Sequence, residues 1–202
     1  YPSIAEVRKE PHQQYNIGGN WHTDHSYDQI PALGSMLYAK ELPKVGGDTL
    51  FAGCAAAFDT LSEGMKSTLR SLRAVHSSRH VFGKSAAIPD DMADLFGNAD
   101  KALQDAEHPV VIKHPLSGRE TLYVNPGFTT RFVGWTEKES NSLLAFLYEH
   151  ISRPEHTYRF QWSKGALAFW DNRATWHLAV NDYPGETRLM HRITIEGEPL
   201  EP

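Results

Sequence analysis

Between residues 33 and 42 the apolar positions support a strand, which Pro43 and the Gly46-Gly47 pair end as a turn. Asp48-Thr49-Leu50-Phe51 resumes extended structure. The spacing then changes: alanines 55 to 57, followed by Thr60-x-x-Glu63 as a capping box ahead of Met65, Leu69 and Leu72, predict helix packed outside a sheet. Residues 74–80 predict another strand. From 83 to 107 the hydrophobic pattern is lost and Asp, Gly and Ala gather; so long a polar interruption is either a lid over a pocket or a solvated insertion. Short extended segments at 108–114 and 120–125 flank Pro115-Leu116-Ser117-Gly118 and read as a hairpin. Thr136-x-x-Glu139, a second capping box, opens a helix with Leu143, Leu144, Leu147 and Ile151 on one face, and Pro154 closes it. Strand-like runs follow at 158–162, 166–170 and 189–195. The first twenty residues, rich in Pro, Gln, Asn and Gly, show no sustained period and read as irregular.

Short strands separated by turns, with two helices inserted and no internal repeat, argue for a sandwich or barrel; a doubly wound sheet would need regular helix alternation. A chain of 202 residues, 40% hydrophobic, can bury one core, so residues 1–202 are read as a single domain. The net charge of −5, with both signs interspersed, excludes nucleic acid or an anionic membrane as the main partner. A small molecule, and at most further copies of the chain, remain. Cys54 is the only cysteine, so no intramolecular disulfide forms; this points to a reducing compartment, the cytoplasm. No apolar run approaches the roughly 20 residues that a membrane-spanning helix needs.

The candidate chemistry begins at Gly19-Asn20-Trp21-His22-Thr23-Asp24. In extended backbone, residues two apart point to the same side, so His22 and Asp24 offer one imidazole nitrogen and one carboxylate oxygen to a common point. The third ligand is sought downstream, and His177 in Trp176-His177 is the candidate. Two His and one carboxylate form the facial triad of non-haem Fe(II) oxygenases, with three positions left open. An H-x-D pair alone is weak, since the chain holds eleven histidines. The last strand adds to it: in Arg188-Leu189-Met190-His191-Arg192, alternation places Arg188 and Arg192 on one face, where planar guanidinium forks suit a carboxylate.

Taken together, Asn20-Trp21-His22-Thr23-Asp24, Ala39-Lys40-Glu41-Leu42-Pro43 with Gly46-Gly47-Asp48-Thr49, Val124-Asn125-Pro126-Gly127-Phe128-Thr129-Thr130-Arg131, Trp170-Asp171-Asn172-Arg173 and His177 resemble the TauD/TfdA family of Fe(II)- and 2-oxoglutarate-dependent dioxygenases. The resemblance runs from about Asn16 to Pro199. It implies a mainly β fold with flanking helices, the double-stranded β-helix or jelly roll of the clavaminate synthase-like type. It implies that His22, Asp24 and His177 bind Fe(II) and that Thr49 and Arg188 hold the distal carboxylate of 2-oxoglutarate. Arg192 would sit nearer the metal, on the substrate anion or the keto-acid carboxylate. The activity implied is hydroxylation of a small organic anion with O2 as co-substrate, releasing succinate and CO2. Family members carry a further N-terminal segment that is not in this sequence.

The primary substrate is less constrained. Where relatives acting on taurine have an aromatic residue this chain has Ser78, which enlarges the pocket; the run 75–83 is more like members acting on aryloxyalkanoates. Phe128 is the candidate apolar wall, Arg192 the anion anchor, and His25 or His76 extra polar contacts. Two other readings use the same residues: a jelly-roll binding protein that has lost turnover, and a zinc hydrolase with the same three ligands.

Overall fold

A computed structural model describes residues 4–82 and 103–202, so most of the stretch read as a lid or insertion lies outside the described residues. In chain order the elements are β1 (Ala5–Lys9), β2 (Gly34–Glu41), β3 (Thr49–Gly53), α1 (Cys54–Asp59), α2 (Glu63–Arg70), β4 (Arg73–Ser77), α3 (Arg79–Phe82), β5 (Asp105–Pro109), β6 (Val111–Lys113), β7 (Glu120–Leu122), β8 (Thr129–Phe132), α4 (Glu137–Ile151), β9 (Thr157–Phe160), β10 (Leu167–Asp171), β11 (Thr175–Ala179) and β12 (Arg188–Ile195). Pro154–His156 form a 3-10 turn directly after α4, where the proline was expected to stop it.

Two sheets face each other. One has the order β1-β12-β2-β10, the other β11-β3-β9, and all pairings are antiparallel. Leu37, Ala39, Trp170 and Met190 point inward from the first and pack with Phe51 of the second. Non-sequential neighbours in both sheets, together with mainly β content, are those of a jelly roll. The outer face of the smaller sheet is covered by α1 and α4: Ala52 and Trp176 pack there against Phe58, Leu144, Leu147 and Ile151. Fully burying side chains of this size contributes about 1.5–3 kcal/mol each, so this layer anchors the sheet that carries His177. A third sheet, β5-β4-β8, and the β6-β7 hairpin complete the same core.

Three local expectations are corrected. The first twenty residues are not wholly irregular: β1 pairs with β12 from Ala5↔Arg192 to Lys9↔Arg188. It is an edge strand with few apolar side chains, so pairing rather than pattern makes it extended. Thr60 does not open a helix. It ends α1, its hydroxyl donating to the Ala57 carbonyl (2.9 Å), and Ser62 caps α2 by accepting from the Met65 N–H. The third is β11, which was read for its ligand and not as a strand. Thr136, by contrast, forms the complete capping box with Glu139 that the spacing called for.

Candidate metal centre and anion site

His22 lies outside the named strands but is tied to β11 by a two-way backbone bridge. Its N–H donates to the His177 carbonyl (3.1 Å), and the His177 N–H donates to the His22 carbonyl (2.9 Å). The two imidazoles are therefore side by side, ring centroids 4.1 Å apart. Alternation along β11 sends Trp176 into the helical layer and His177 the other way, between the sheets. Thr23 locks the turn from behind, its hydroxyl 2.8 Å from the Asn172 carbonyl and 2.9 Å from that of Thr175. Asp24 then turns back over the pair. Its Oδ1 lies 3.6 Å from His22 Nε2 and its Oδ2 3.6 Å from His177 Nε2.

One ligand atom from each of the three residues falls within 4.8 Å of the others. Donors at about 2.1 Å from an ion subtend about 3 Å at right angles, so these separations need only a small contraction to accept a divalent cation. Protonation suits ligation as well. Burial, with the neighbouring His22, pushes His177 down to about 3. Burial disfavours the Asp24 charge, but His177 and the Arg192 guanidinium outweigh it and hold the carboxyl well below its usual range. A neutral imidazole and a carboxylate are the forms a metal needs. His22 Nδ1 lies 2.8 Å from the Asn20 carbonyl; donating there leaves Nε2 as the free lone pair.

Backbone freedom matters at two glycines. Gly18 has φ +77°, and a Cβ there would lie 3.1 Å from His22 Cε1. At Gly127 a Cβ would lie 2.7 Å from His22 Cβ, so the turn before β8 reaches the ligand only because no side chain intervenes.

The same cleft holds the anion residues. His22, Asp24, Thr49, His177, Arg188 and Arg192 all line it. Arg188 is 4% exposed; its Nε donates to the Gly47 carbonyl (3.0 Å) and its Nη2 lies 3.5 Å from Thr49 Oγ1. The guanidinium also lies 5.9 Å from the Trp162 ring, whose Nε1 donates to Thr49 Oγ1 (3.0 Å). Among the described residues no carboxylate forms an ion pair with Arg188, and burial pushes its pKa down. Arg192 is placed differently: its Nη2 is 2.9 Å from Asp24 Oδ2, while its Nε is buried without a hydrogen-bond partner among the described residues.

The remaining candidates divide. Phe128 packs edge-on to His22 (6.3 Å) and to Tyr27 (4.8 Å), as an apolar wall would. His25 adopts φ +58° and pairs with Asp28 (2.9 Å), pointing to the loop rather than the cleft lining. Ser78 is fully buried and its hydroxyl accepts from the Gln104 N–H (2.9 Å), so it ties two chain segments together. His76 is enclosed with His108 and Tyr123, and does not line the cleft. Around the ligands, the Trp170 ring lies 4.7 Å from that of His177, whereas Asp171 engages Arg173 and His114. Sequence reasoning missed Trp162, and it missed Ser35, whose hydroxyl donates to Asp24 Oδ2 at 2.7 Å. For Ser35 the available signal was a lone hydroxyl on the inward face of β2, among Leu37 and Ala39.

The family profile described as "Taurine catabolism dioxygenase TauD, TfdA family" matches residues 2–194. The chain is 38% identical over 182 residues to an alkylsulfatase of Acinetobacter baylyi, covering 89% of this chain and 57% of that protein. It is 37% identical to an alpha-ketoglutarate-dependent sulfate ester dioxygenase of Pseudomonas putida, covering 89% and 60%. The crystal structure of a taurine dioxygenase from Burkholderia xenovorans superposes with a TM-score of 0.79 at 34% identity, covering 98% of this chain and 65% of that one. The chain thus spans less than two thirds of the length of these relatives.

Proposed function

The chain belongs to the TauD/TfdA family, and we propose that it acts as an Fe(II)- and 2-oxoglutarate-dependent dioxygenase that oxidises a small organic anion. The observation that carries this reading is a buried cation, Arg188, with which no carboxylate forms an ion pair among the described residues, beside three side chains that could hold a metal ion. An isolated buried charge costs several kcal/mol, and a structure retains one where an anion will pair with it. Arg188 is such a cation. A dicarboxylate supplies what both halves of the cleft lack: a carboxylate for Arg188 and Thr49, and oxygen donors for the open metal positions.

Bound there, Fe(II) with 2-oxoglutarate supplies O2 activation, in which the keto acid goes to succinate and CO2 and a substrate C–H bond becomes C–OH. The chain's own residues supply position and environment. His22, Asp24 and His177 would hold the ion, and Arg188 with Thr49 would hold the distal carboxylate of the keto acid. Trp162 orients the Thr49 hydroxyl, since its N–H occupies one lone pair and leaves the proton for an anion. Val7, Leu37 and Ala179 line the cleft as apolar walls that limit water near the reacting groups. Phe128 on the other side of His22 is the wall against which the primary substrate packs, with Arg192 the cation nearest the metal. The sulfate ester, alkyl sulfate and taurine relatives support an anionic substrate for this chain as well.

The test is succinate formation coupled to loss of an organic anion, run over sulfate esters, sulfonates and aryloxyalkanoates. Turnover is expected to require O2, 2-oxoglutarate and Fe(II), and to vanish in His177→Ala. Substrate loss that is independent of O2 and restored by zinc would replace this reading with hydrolysis.

A further inference from the structure

We propose that Ser35 is a positioning residue for the metal centre: its hydroxyl holds Oδ2 of Asp24, so that Oδ1 alone is presented to the ion. This rests on the metal-centre reading of His22, Asp24 and His177. The two carboxylate oxygens are equivalent by distance, each 3.6 Å from one imidazole Nε2. Their other contacts break that equivalence. Oδ2 accepts a hydrogen bond from the Ser35 hydroxyl at 2.7 Å and is ion-paired with Arg192 Nη2 at 2.9 Å. Oδ1 receives no hydrogen bond among the described residues; its neighbour is the His22 Nε2 lone pair, 3.6 Å away.

An ionised carboxylate only accepts, so the proton in the short Ser35 contact belongs to the hydroxyl. Ser35 is fully buried, and strand pairing sets it on β2 between Trp170 of β10 and Thr194 of β12. Its inward neighbours on the same strand, Leu37 and Ala39, are apolar. A hydroxyl in such a place is costly without a partner, and its one partner among the described residues is Asp24.

The consequence would be a carboxylate that offers one oxygen to the ion, which with two imidazoles gives the donor set of a facial triad. Arg192 alone is a poor guarantor of this arrangement, because an anionic substrate competes for its guanidinium. Ser35 is neutral and fixed in a strand, so its hold on Oδ2 is independent of what Arg192 binds.

The test uses the full chain stripped of metal and titrated with Mn(II), following free Mn(II) by electron paramagnetic resonance, with far-UV circular dichroism as the folding control. Ser35→Ala is expected to weaken Mn(II) binding at least about tenfold, the range seen when a hydrogen-bond partner of a metal ligand is removed. Ser35→Thr, which keeps the hydroxyl, is expected to stay within about threefold of the parent. Parent-like affinity in Ser35→Ala, or an equal loss in a folded Ser35→Thr, would overturn the assignment while leaving the metal centre standing. A parent chain that binds no Mn(II) would instead remove the metal centre itself.

Discussion

Replacing Arg188 by methionine separates binding from stability, because the two are expected to move in opposite directions. The side chain is 4% exposed, pairs with no carboxylate among the described residues, and makes one good hydrogen bond, to the Gly47 carbonyl at 3.0 Å. Burying an unpaired ion costs several kcal/mol even after relaxation. Methionine removes that cost and approximately fills the same space, at the expense of leaving the Gly47 carbonyl unsatisfied, about 1–3 kcal/mol. The balance is near zero or favours the variant by up to about 2 kcal/mol. At about 2–4 °C per kcal/mol for a chain of this size, Tm should rise by about 0–8 °C. Binding goes the other way. Two charge-assisted bonds to a carboxylate, at about 1.5–3 kcal/mol each, make about 3–6 kcal/mol, or roughly two to four orders of magnitude in Kd. Differential scanning fluorimetry and calorimetric titration of 2-oxoglutarate into the Mn(II)-loaded chain measure both. Arg188→Met with 2-oxoglutarate affinity within threefold of the parent, or with Tm lowered by more than about 5 °C, would refute the view of Arg188 as an anion site held at a cost to stability.

Other substitutions probe the supports of the site. Gly127→Ala puts a Cβ 2.7 Å from that of His22, so the ligand must shift; Mn(II) affinity is expected to fall at least about tenfold, with about 1–3 kcal/mol of stability lost to overpacking in urea unfolding. Unchanged affinity would show that the turn yields instead. Asp171 is held low despite partial burial because Arg173 and His114 bond its carboxylate. Its folded pKa lies below the unfolded value of about 3.9, so its contribution is complete above that value and is lost as pH falls through the folded one. Asp171→Asn should therefore cost about 2 kcal/mol at neutral pH and progressively less in unfolding curves taken below about pH 3.9. A difference that is constant with pH would sink that account. Thr136→Ala deletes the capping box of α4 and should cost about 1 kcal/mol, read from the same curves. A neutral result would place the stability of that helix wholly in its packed face.

What the sequence made legible follows the range over which each residue acts. His22 and Asp24 could be paired by a two-residue spacing, although Asp24 lies in a turn and not in the extended backbone that spacing assumes, and Arg188 with Arg192 by alternation along one strand; both pairs line the cleft. The shift in pairing between Leu189 and Met190 skips a residue on β2 and leaves the alternation of β12 intact, which is why a pattern-based reading of that strand succeeds. His177 could be joined to the pair only through family resemblance, since nothing local to it says which distant residues it will meet. The same reason hid Trp162, which acts on Thr49 across 113 positions, and β1, whose extended form comes from its neighbour β12. His25 and Ser78 carry contacts that neither route could supply. His25 is a substrate candidate by nearness to Asp24 and Ser78 by comparison with taurine-acting relatives, yet a left-handed turn brings His25 to Asp28 and a backbone contact ties Ser78 to Gln104. Ser35 lies between these cases: its spacing from Asp24 carries no signal, but a single hydroxyl on an apolar strand face must find a partner, and that requirement can be read before the partner is known.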